Sequence, residues 1–239
     1  MATYVLIHGA GDVGWYWHLV DTELRTRGHE VVAPDLPCDD DSAGLAEYTN
    51  TVLGAIGDRS DLVVVAQSFG AFTAPLVCTR RRADLLILVA GLVPAPGEAS
   101  QDWWANTGYQ DEPRERFDDE IELFYHDVPP QLAAEAVRRG RAQSNTPTRQ
   151  PRPLHGWPDV PTRFVLCRGD RLLPAGFLRR VVRQRLGITP DEIDAGHCVA
   201  VSRPTELADR LEAHLSQPEP ADRFTQHGTR TRRQIRMAP

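Results

Sequence analysis

The chain has 239 residues, of which 41% are hydrophobic and 25% are charged, and its net charge is −6. This length and composition are typical of a single globular domain with a sizeable core, and they exclude a fibrous or wholly disordered chain. The acidic balance argues against a nucleic-acid-binding protein, and no apolar run is long enough to cross a bilayer.

Strand and helix patterns alternate from the first residues onward. The predicted strands are residues 3–9, 30–36, 62–67, 85–91, 163–169 and 191–196. The predicted helices are residues 15–27, 43–58, 69–82, 176–186 and 204–216. Four of the strands are almost continuously hydrophobic, as parallel strands covered on both faces are. The sequence therefore predicts an α/β fold with a doubly wound, mostly parallel sheet.

The alternation is interrupted once, between the fourth and fifth predicted strands. Residues 92–157 contain short helical patterns, and these lead into a proline-rich stretch, "TPTRQPRPLHGWPDVP", at residues 146–161. A connection of this length is uncommon as a plain loop and is typical of a functional lid. We therefore expect core parts at 1–91 and 158–216, a helical lid at 92–157, and a disordered tail at 217–239, where the composition turns polar.

The stretch "LVVVAQSFGAF", residues 62–72, ends a buried strand on a serine. Ser68 could cap the following helix, a role that serine often fills. Ala66 and Gly70, however, give the small-x-Ser-x-Gly pattern of a nucleophile elbow, in which a sharp strand-to-helix turn presents the hydroxyl. Ala66 stands where that pattern usually has glycine, so partner residues are needed to choose between a cap and a nucleophile.

A glycine-rich turn, "IHGAG", follows the first predicted strand. If the first and third strands are neighbours, this turn lies beside Ser68 at the sheet edge where open α/β sheets bind ligands. The backbone N–H groups of Ala10 and Phe69 would then form a two-donor oxyanion hole, with His8 anchoring the turn. A dinucleotide phosphate loop fits less well, because the glycine spacing departs from G-x-G-x-x-G.

A base and an acid are available at the same edge of the predicted sheet. His197 follows the last strand and precedes the final helix, from where it can reach the serine. Asp170 ends the fifth strand and can fix the tautomer of the imidazole. Asp159, Asp191 and Asp194 are alternatives by residue type, but each lies before a strand or within one. The order serine, aspartate, histidine is the one expected for a triad on this fold.

Together these segments resemble the α/β-hydrolase superfamily over roughly residues 3–215. The blocks "VLIHGAG", "GHEVVAPDLP", "VVVAQSFGAF", "RGDRLLP" and "DAGHCVAVSRPTEL" occur in the family's order. The chain is most similar to the group of methyl-salicylate-type esterases, hydroxynitrile lyases and their bacterial relatives. The resemblance implies the triad and the oxyanion donors named above. The family's usual two opening antiparallel strands are missing, so we expect six strands.

Two positions separate hydrolysis from the lyase chemistry of that group. The lyases carry a threonine after the first-strand histidine and a lysine after the catalytic histidine, and this chain has Gly9 and Cys198 there. An uncharged Cys198 cannot stabilise a departing cyanide. We therefore expect a serine hydrolase that cleaves a small or medium, largely apolar carboxylic ester through an acyl-enzyme. A thioesterase of a biosynthetic pathway stays open as an alternative. A hydroxynitrile lyase and a non-catalytic ligand receptor are less favoured alternatives, and an intact triad counts against the receptor.

The aromatic residues of the predicted lid have two interpretations. Trp104 and Phe124 can line a substrate pocket together with Cys198, or such residues can hold the short helices on the sheet. No metal or organic cofactor is expected, since the protein supplies the nucleophile. The cysteines form no C-x-x-C pair and the chain starts without a signal-peptide pattern. We therefore expect a cytoplasmic protein with a small-molecule ester as its partner and neither nucleic acid nor membrane.

Overall fold

A computed structural model of the protein describes residues 1–113 and 115–215, so the predicted tail at 217–239 lies outside the described residues. Within them the chain forms one six-stranded sheet in the order β2-β1-β3-β4-β5-β6. Every neighbouring pair of strands is parallel. The strands are β1 (Thr3–Ile7), β2 (Glu30–Val32), β3 (Leu62–Gln67), β4 (Leu85–Val89), β5 (Thr162–Cys167) and β6 (Asp191–Ile193). The predicted sheet is confirmed, although five strands end earlier than predicted.

Alternation along the strands explains why the central ones are hydrophobic throughout. Successive side chains of a strand point to opposite faces of the sheet. In β1, Val5 and Ile7 belong to the core on one face, whereas Tyr4 and Leu6 belong to the core on the other. Because both faces are covered, the side chains at positions 4–7 of this strand are all fully buried.

Helices cover both faces of the sheet, which confirms the doubly wound arrangement. One face carries α2 (Leu45–Ile56), α3 (Ala74–Arg80) and α8 (Ala175–Leu186), whose apolar residues join one core. The other face carries α1 (His18–Thr26), α9 (Val199–Ser202) and α10 (Pro204–Leu215). Two predicted helices begin instead with short 3₁₀ helices, Gly14–Trp17 and Ser68–Phe72. The first lies beyond the loop after β1, and the second directly follows β3. At both places the chain changes direction sharply.

The segment between β4 and β5, residues 92–157, is helical as predicted, and we call it the helical segment. It contains α4 (Ser100–Asn106), a 3₁₀ helix (Tyr109–Asp111), α5 (Glu120–Phe124), α6 (Pro130–Arg139) and α7 (Thr146–Arg149). The short α7 lies in the proline-rich stretch and was not predicted. Trp103 fixes α4 to the core: its ring is fully buried 5.7 Å from that of Phe177, and its Nε1–H donates to the Val93 carbonyl. That this segment is a functional lid, with the domain boundaries given above, stays a prediction.

Two further properties of the fold are the state of its cysteines and the apolarity of its helices. All four cysteines are free thiols, and three of them are buried. Burial raises the pKa of the fourth, Cys78, to about 12, so that this thiol is un-ionised at neutral pH. In the described part of the chain, no helix combines the length and apolarity that a membrane crossing requires.

Candidate active site

Ser68 occupies a strained turn directly after β3. Its φ is +50°, in the left-handed region that non-glycine residues rarely adopt. The residue that precedes the 3₁₀ helix in the cap position is Gln67, and Ser68 is already the first residue of that helix. Capping therefore does not account for this serine. The strained geometry is the one that a nucleophile elbow requires.

Gly70 is needed because the elbow passes close to the end of β1. A Cβ at this position would lie 2.7 Å from the carbonyl oxygen of His8 and 2.9 Å from that of Ile7. Both atoms belong to the backbone and cannot move aside as a flexible side chain can. The second small residue of the predicted pattern thus has a steric cause in the packing of β1 against β3.

The turn after β1 lies beside the elbow because β1 and β3 are neighbours, with Ile7 opposite Ala66. His8 anchors this turn as predicted. Its Nδ1–H donates to the Gly9 carbonyl at 2.8 Å, and its Nε2 accepts the Leu36 N–H at 2.9 Å. Burial lowers the pKa of His8 to about 4, so the ring stays neutral and keeps both bonds at neutral pH.

Gly9 is the position at which the lyases of the resembling group carry threonine. A Cβ here would lie 2.4 Å from Oε1 of Gln67 and 3.1 Å from Cβ of Ser68. Gln67 is itself engaged, since its Nε2–H donates to the His197 carbonyl at 3.3 Å. A threonine would therefore displace a side chain that connects β3 to the loop of the predicted base.

Asp170 and His197 meet at the carboxyl ends of β5 and β6. The Nδ1–H of His197 donates to Oδ2 of Asp170 at 2.7 Å, and both side chains are almost completely buried. The other oxygen of Asp170 accepts the N–H groups of Leu172 and Leu173 at 2.8 and 2.9 Å. These bonds fix the carboxylate, and the carboxylate fixes the imidazole with Nε2 free for another partner.

The alternative carboxylates lie elsewhere. Asp191 is in β6 and lies 3.2 Å from His214, while Asp194 is 80% exposed and lies 3.7 Å from Arg168. Asp159 is exposed on the loop before β5. Position at the end of a strand was thus the useful signal in the sequence, because it selected the carboxylate that contacts His197.

One pocket of about 690 Å³ lies above this edge of the sheet. Of the predicted site residues, all except Asp170, which lies behind the imidazole, line it: Ala10, Ser68, Phe69, Trp104, Phe124, His197 and Cys198. The structure therefore brings the predicted nucleophile, base and oxyanion donors to one cavity. Phe69 follows the first residue of its helix, where backbone N–H groups have no acceptor within the helix.

The aromatic residues of the helical segment divide between the two interpretations. Trp103 and Tyr109 are buried and pack on Phe177 of α8, at ring distances of 5.7 and 5.3 Å, so these two hold the segment on the core. Trp104 and Phe124 line the pocket, and the ring of Phe124 lies 5.4 Å from that of His197. Both roles therefore occur, at neighbouring positions of the same helices.

His126 and Asp127 were missed as members of the site. Nε2 of His126 lies 3.0 Å from the carbonyl of Gly169, next to Asp170, and the Asp127 carboxylate accepts the Gly196 N–H at 2.7 Å, next to His197. The other oxygen of Asp127 is buried without a partner among the described residues. One dipeptide of the helical segment thus contacts both loops that carry the acid and the base.

The sequence around these two residues gives no signal of a role in the site, because a His-Asp pair between two short helices matches no motif. Asp12, Glu120 and Arg141 also line the pocket and were not selected from the sequence. Among the described residues, no group of three or more histidines, cysteines or carboxylates is arranged as a metal site would require.

The alpha/beta hydrolase family matches residues 4–210, so the chain belongs to the alpha/beta hydrolase family. The predicted resemblance, fold and enzyme class are confirmed.

Among curated proteins, norfluorocurarine synthase 1 of Strychnos nux-vomica is 23% identical, over 87% of this chain and 93% of that protein. Among solved structures, a pyrethroid hydrolase from Sphingobium faniae JZ-2 has a TM-score of 0.76 at 21% identity, covering 91% of this chain and 98% of that one. A methylesterase of Arabidopsis has a TM-score of 0.75 at 18% identity, with coverages of 90% and 99%. At these identities the structural likeness shows the fold.

Proposed function

We propose that this protein is a serine esterase that hydrolyses a small or medium, largely apolar carboxylic ester through an acyl-enzyme. The observation that carries the proposal is the juxtaposition of the strained Ser68 elbow with a His197 ring oriented by Asp170 in one pocket. The relatives named above include proteins called a hydrolase and a methylesterase, which supports ester hydrolysis as the reaction class.

In the proposed reaction, Oγ of Ser68 attacks the ester carbonyl while Nε2 of His197 takes the hydroxyl proton. Asp170 stabilises the imidazolium that forms, because it already accepts the Nδ1–H. The oxyanion accepts the N–H groups of Ala10 and Phe69, each worth about 3 kcal/mol in comparable sites. The imidazolium then gives its proton to the departing alcohol, and a water activated by the same histidine hydrolyses the acyl-enzyme and restores Ser68.

The surroundings of the proposed reaction agree with these roles. The pocket walls include Trp104, Phe124 and Cys198, which suit an apolar acyl or alcohol group. Burial raises the pKa of the Cys198 thiol well above its usual range, so Cys198 carries no charge at neutral pH. No cofactor takes part in these steps. A cytoplasmic location is supported by the free state of all four cysteines.

Replacing Ser68 with alanine tests the nucleophile. We expect Ser68→Ala to lose at least about 10³-fold in ester turnover while unfolding at nearly the same denaturant concentration as the parent, because one hydroxyl contributes little to packing. A fluorophosphonate should label the parent at residue 68 and leave the variant unlabelled. Turnover within tenfold of the parent would show that Ser68 is not the nucleophile.

A further inference from the structure

Asp12 is a carboxyl that faces the proposed active-site pocket without a basic partner. It lies two residues after Ala10 on the turn that follows β1, and it lines the cavity together with Ser68 and His197. Oδ1 accepts the N–H of the next residue, Val13, at 2.8 Å. Within residues 1–113 and 115–215, no arginine, lysine or histidine forms an ion pair with it.

Among the described residues that line the pocket, Arg141 is the one arginine, and other carboxylates already neutralise it. The guanidinium of Arg141 lies 2.9 Å from Oδ2 of Asp35 and 3.8 Å from Oδ1 of Asp39. The Asp35 carboxylate also accepts the Gly14 N–H at 2.8 Å, so it holds the arginine from a fixed position. The charge of Arg141 is therefore not available to Asp12.

A second carboxylate and three aromatic rings face the same space. Glu120, at the start of α5, lines the pocket, and its charge acts on Asp12. Trp104, Phe124 and Tyr125 also line the pocket. Aromatic faces attract organic cations, and quaternary ammonium groups are recognised by such rings. Among the described residues neither carboxylate forms an ion pair, and two such carboxylates beside three aromatic rings in one cavity suit the binding of an organic ammonium ion.

Ionisation of Asp12 is costly at this buried position. Burial, with the nearby charges of Glu120 and Asp35, raises the pKa of Asp12 to about 7. A bound cation would favour the ionised form, since an opposite charge within a few ångströms stabilises a carboxylate. A cationic ligand would therefore stabilise the ionised form of Asp12 more than it would stabilise an exposed carboxylate.

We propose that this esterase selects esters that carry an ammonium group, and that Asp12 is the specificity-determining residue for that group. This inference rests on the function proposed above. Glu120 contributes less, because it is exposed to solvent and its charge is screened more strongly.

The test compares two esters of the same shape, butyrylcholine and 3,3-dimethylbutyl butanoate, which differ in a quaternary nitrogen against a carbon. The parent should show a kcat/KM about tenfold higher for butyrylcholine, a value within the range of buried cation–aromatic contacts. Asp12→Asn should reduce this ratio to about one or two, and Glu120→Gln should reduce it by a smaller factor. Glu122→Gln changes the same charge on the same helix but outside the pocket lining, and it should leave the ratio unchanged.

A second measurement uses the parent alone, so that a variant with impaired folding cannot obscure the result. Choline should inhibit hydrolysis of p-nitrophenyl butanoate competitively and more strongly than 3,3-dimethylbutanol does. Equal kcat/KM values for the two esters in the parent, or a preference for the cation that persists in Asp12→Asn, would overturn the inference and leave the esterase intact. If neither ester is turned over and Ser68 resists the fluorophosphonate, the proposed esterase function fails and this inference fails with it.

Discussion

The two sides of the pocket are built in different ways. On the sheet side, the strand ends and backbone hydrogen bonds determine where each residue lies, as at Gly70, whose missing Cβ makes room for β1. On the side of the helical segment, short helices contribute side chains from a surface that leaves Ile121 42% and Val137 38% exposed. The proposed reaction uses the sheet side, whereas the proposed selection of substrates uses both. The rigid strand ends therefore position the residues of the proposed reaction, and the more loosely packed helices shape the cavity.

The two sides are nevertheless connected by specific bonds. The Arg141 N–H donates to the Gly11 carbonyl at 2.7 Å, and the side chain of Gln143 accepts the Gly11 N–H at 3.0 Å. Both bonds hold the turn of the predicted oxyanion hole from above. His126 and Asp127 make the corresponding contacts to the loops of the acid and the base. Variants on each side can therefore separate positioning of the proposed catalytic residues from shaping of the cavity.

The largest effect in this comparison is expected from the acid on the sheet side. Asp170→Asn keeps the size of the side chain but offers an amide that can stabilise the wrong tautomer of His197, a change that costs about 10⁴-fold in a serine protease. We expect kcat for p-nitrophenyl butanoate to fall by at least about 10²-fold. The matched control is Asp194→Asn, which removes a carboxylate that is 80% exposed and should retain nearly full turnover. An active Asp170→Asn together with an inactive Asp194→Asn would contradict the assignment of the acid.

The sheet side was also the part that the sequence could predict. The alternation of strand and helix patterns located all six strands, and position after a strand singled out Asp170 and His197, which the folded chain brings into contact. The strand ends were less accurate, because apolar residues continue beyond them. Residues 33–36 were predicted as part of the second strand, yet the Leu36 N–H donates to His8 and the chain has already left the sheet.

The contacts of the helical segment could not be predicted, because they depend on how short helices pack against distant loops. Asp12 and Glu120 are 108 positions apart in a chain that has many carboxylates, and only the folded chain places both at one cavity. Likewise, Trp103 and Trp104 are adjacent and identical in the sequence, and the register of α4 alone decides which one is buried and which one faces the pocket. Composition and spacing contain no signal for these choices.

A smaller effect is expected from Asp127, which we predict to be a positioning residue for His197. Asp127→Ala removes the acceptor of the Gly196 N–H and should lower kcat about tenfold with little change in KM, because the base is misplaced while the cavity remains. Asp127→Asn keeps an oxygen that can accept the same N–H and should restore most of the turnover.

The rescue separates positioning from general stability. If Asp127 only stabilises the fold, both variants should unfold at lower denaturant concentrations while kcat of the folded fraction stays unchanged. Equal losses of kcat in the alanine and asparagine variants would instead indicate that the charge of Asp127 matters and that its hydrogen bond to Gly196 does not.

The smallest effect is expected from Trp104, which lies on the side of the helical segment. Its ring lines the pocket and packs 5.1 Å from Trp103 and 4.7 Å from Tyr109, so it both bounds the cavity and contacts the residues that hold α4 on the core. Trp104→Ala should enlarge the cavity and raise the kcat/KM ratio of p-nitrophenyl decanoate to butanoate roughly fivefold, within the range that a few methylene groups contribute in an apolar pocket.

Trp157→Ala is the control, since Trp157 is half-buried outside the pocket lining. It should reduce stability and leave the ratio flat. A flat ratio in Trp104→Ala as well, with lowered stability, would mean that Trp104 acts only by holding the helical segment in place.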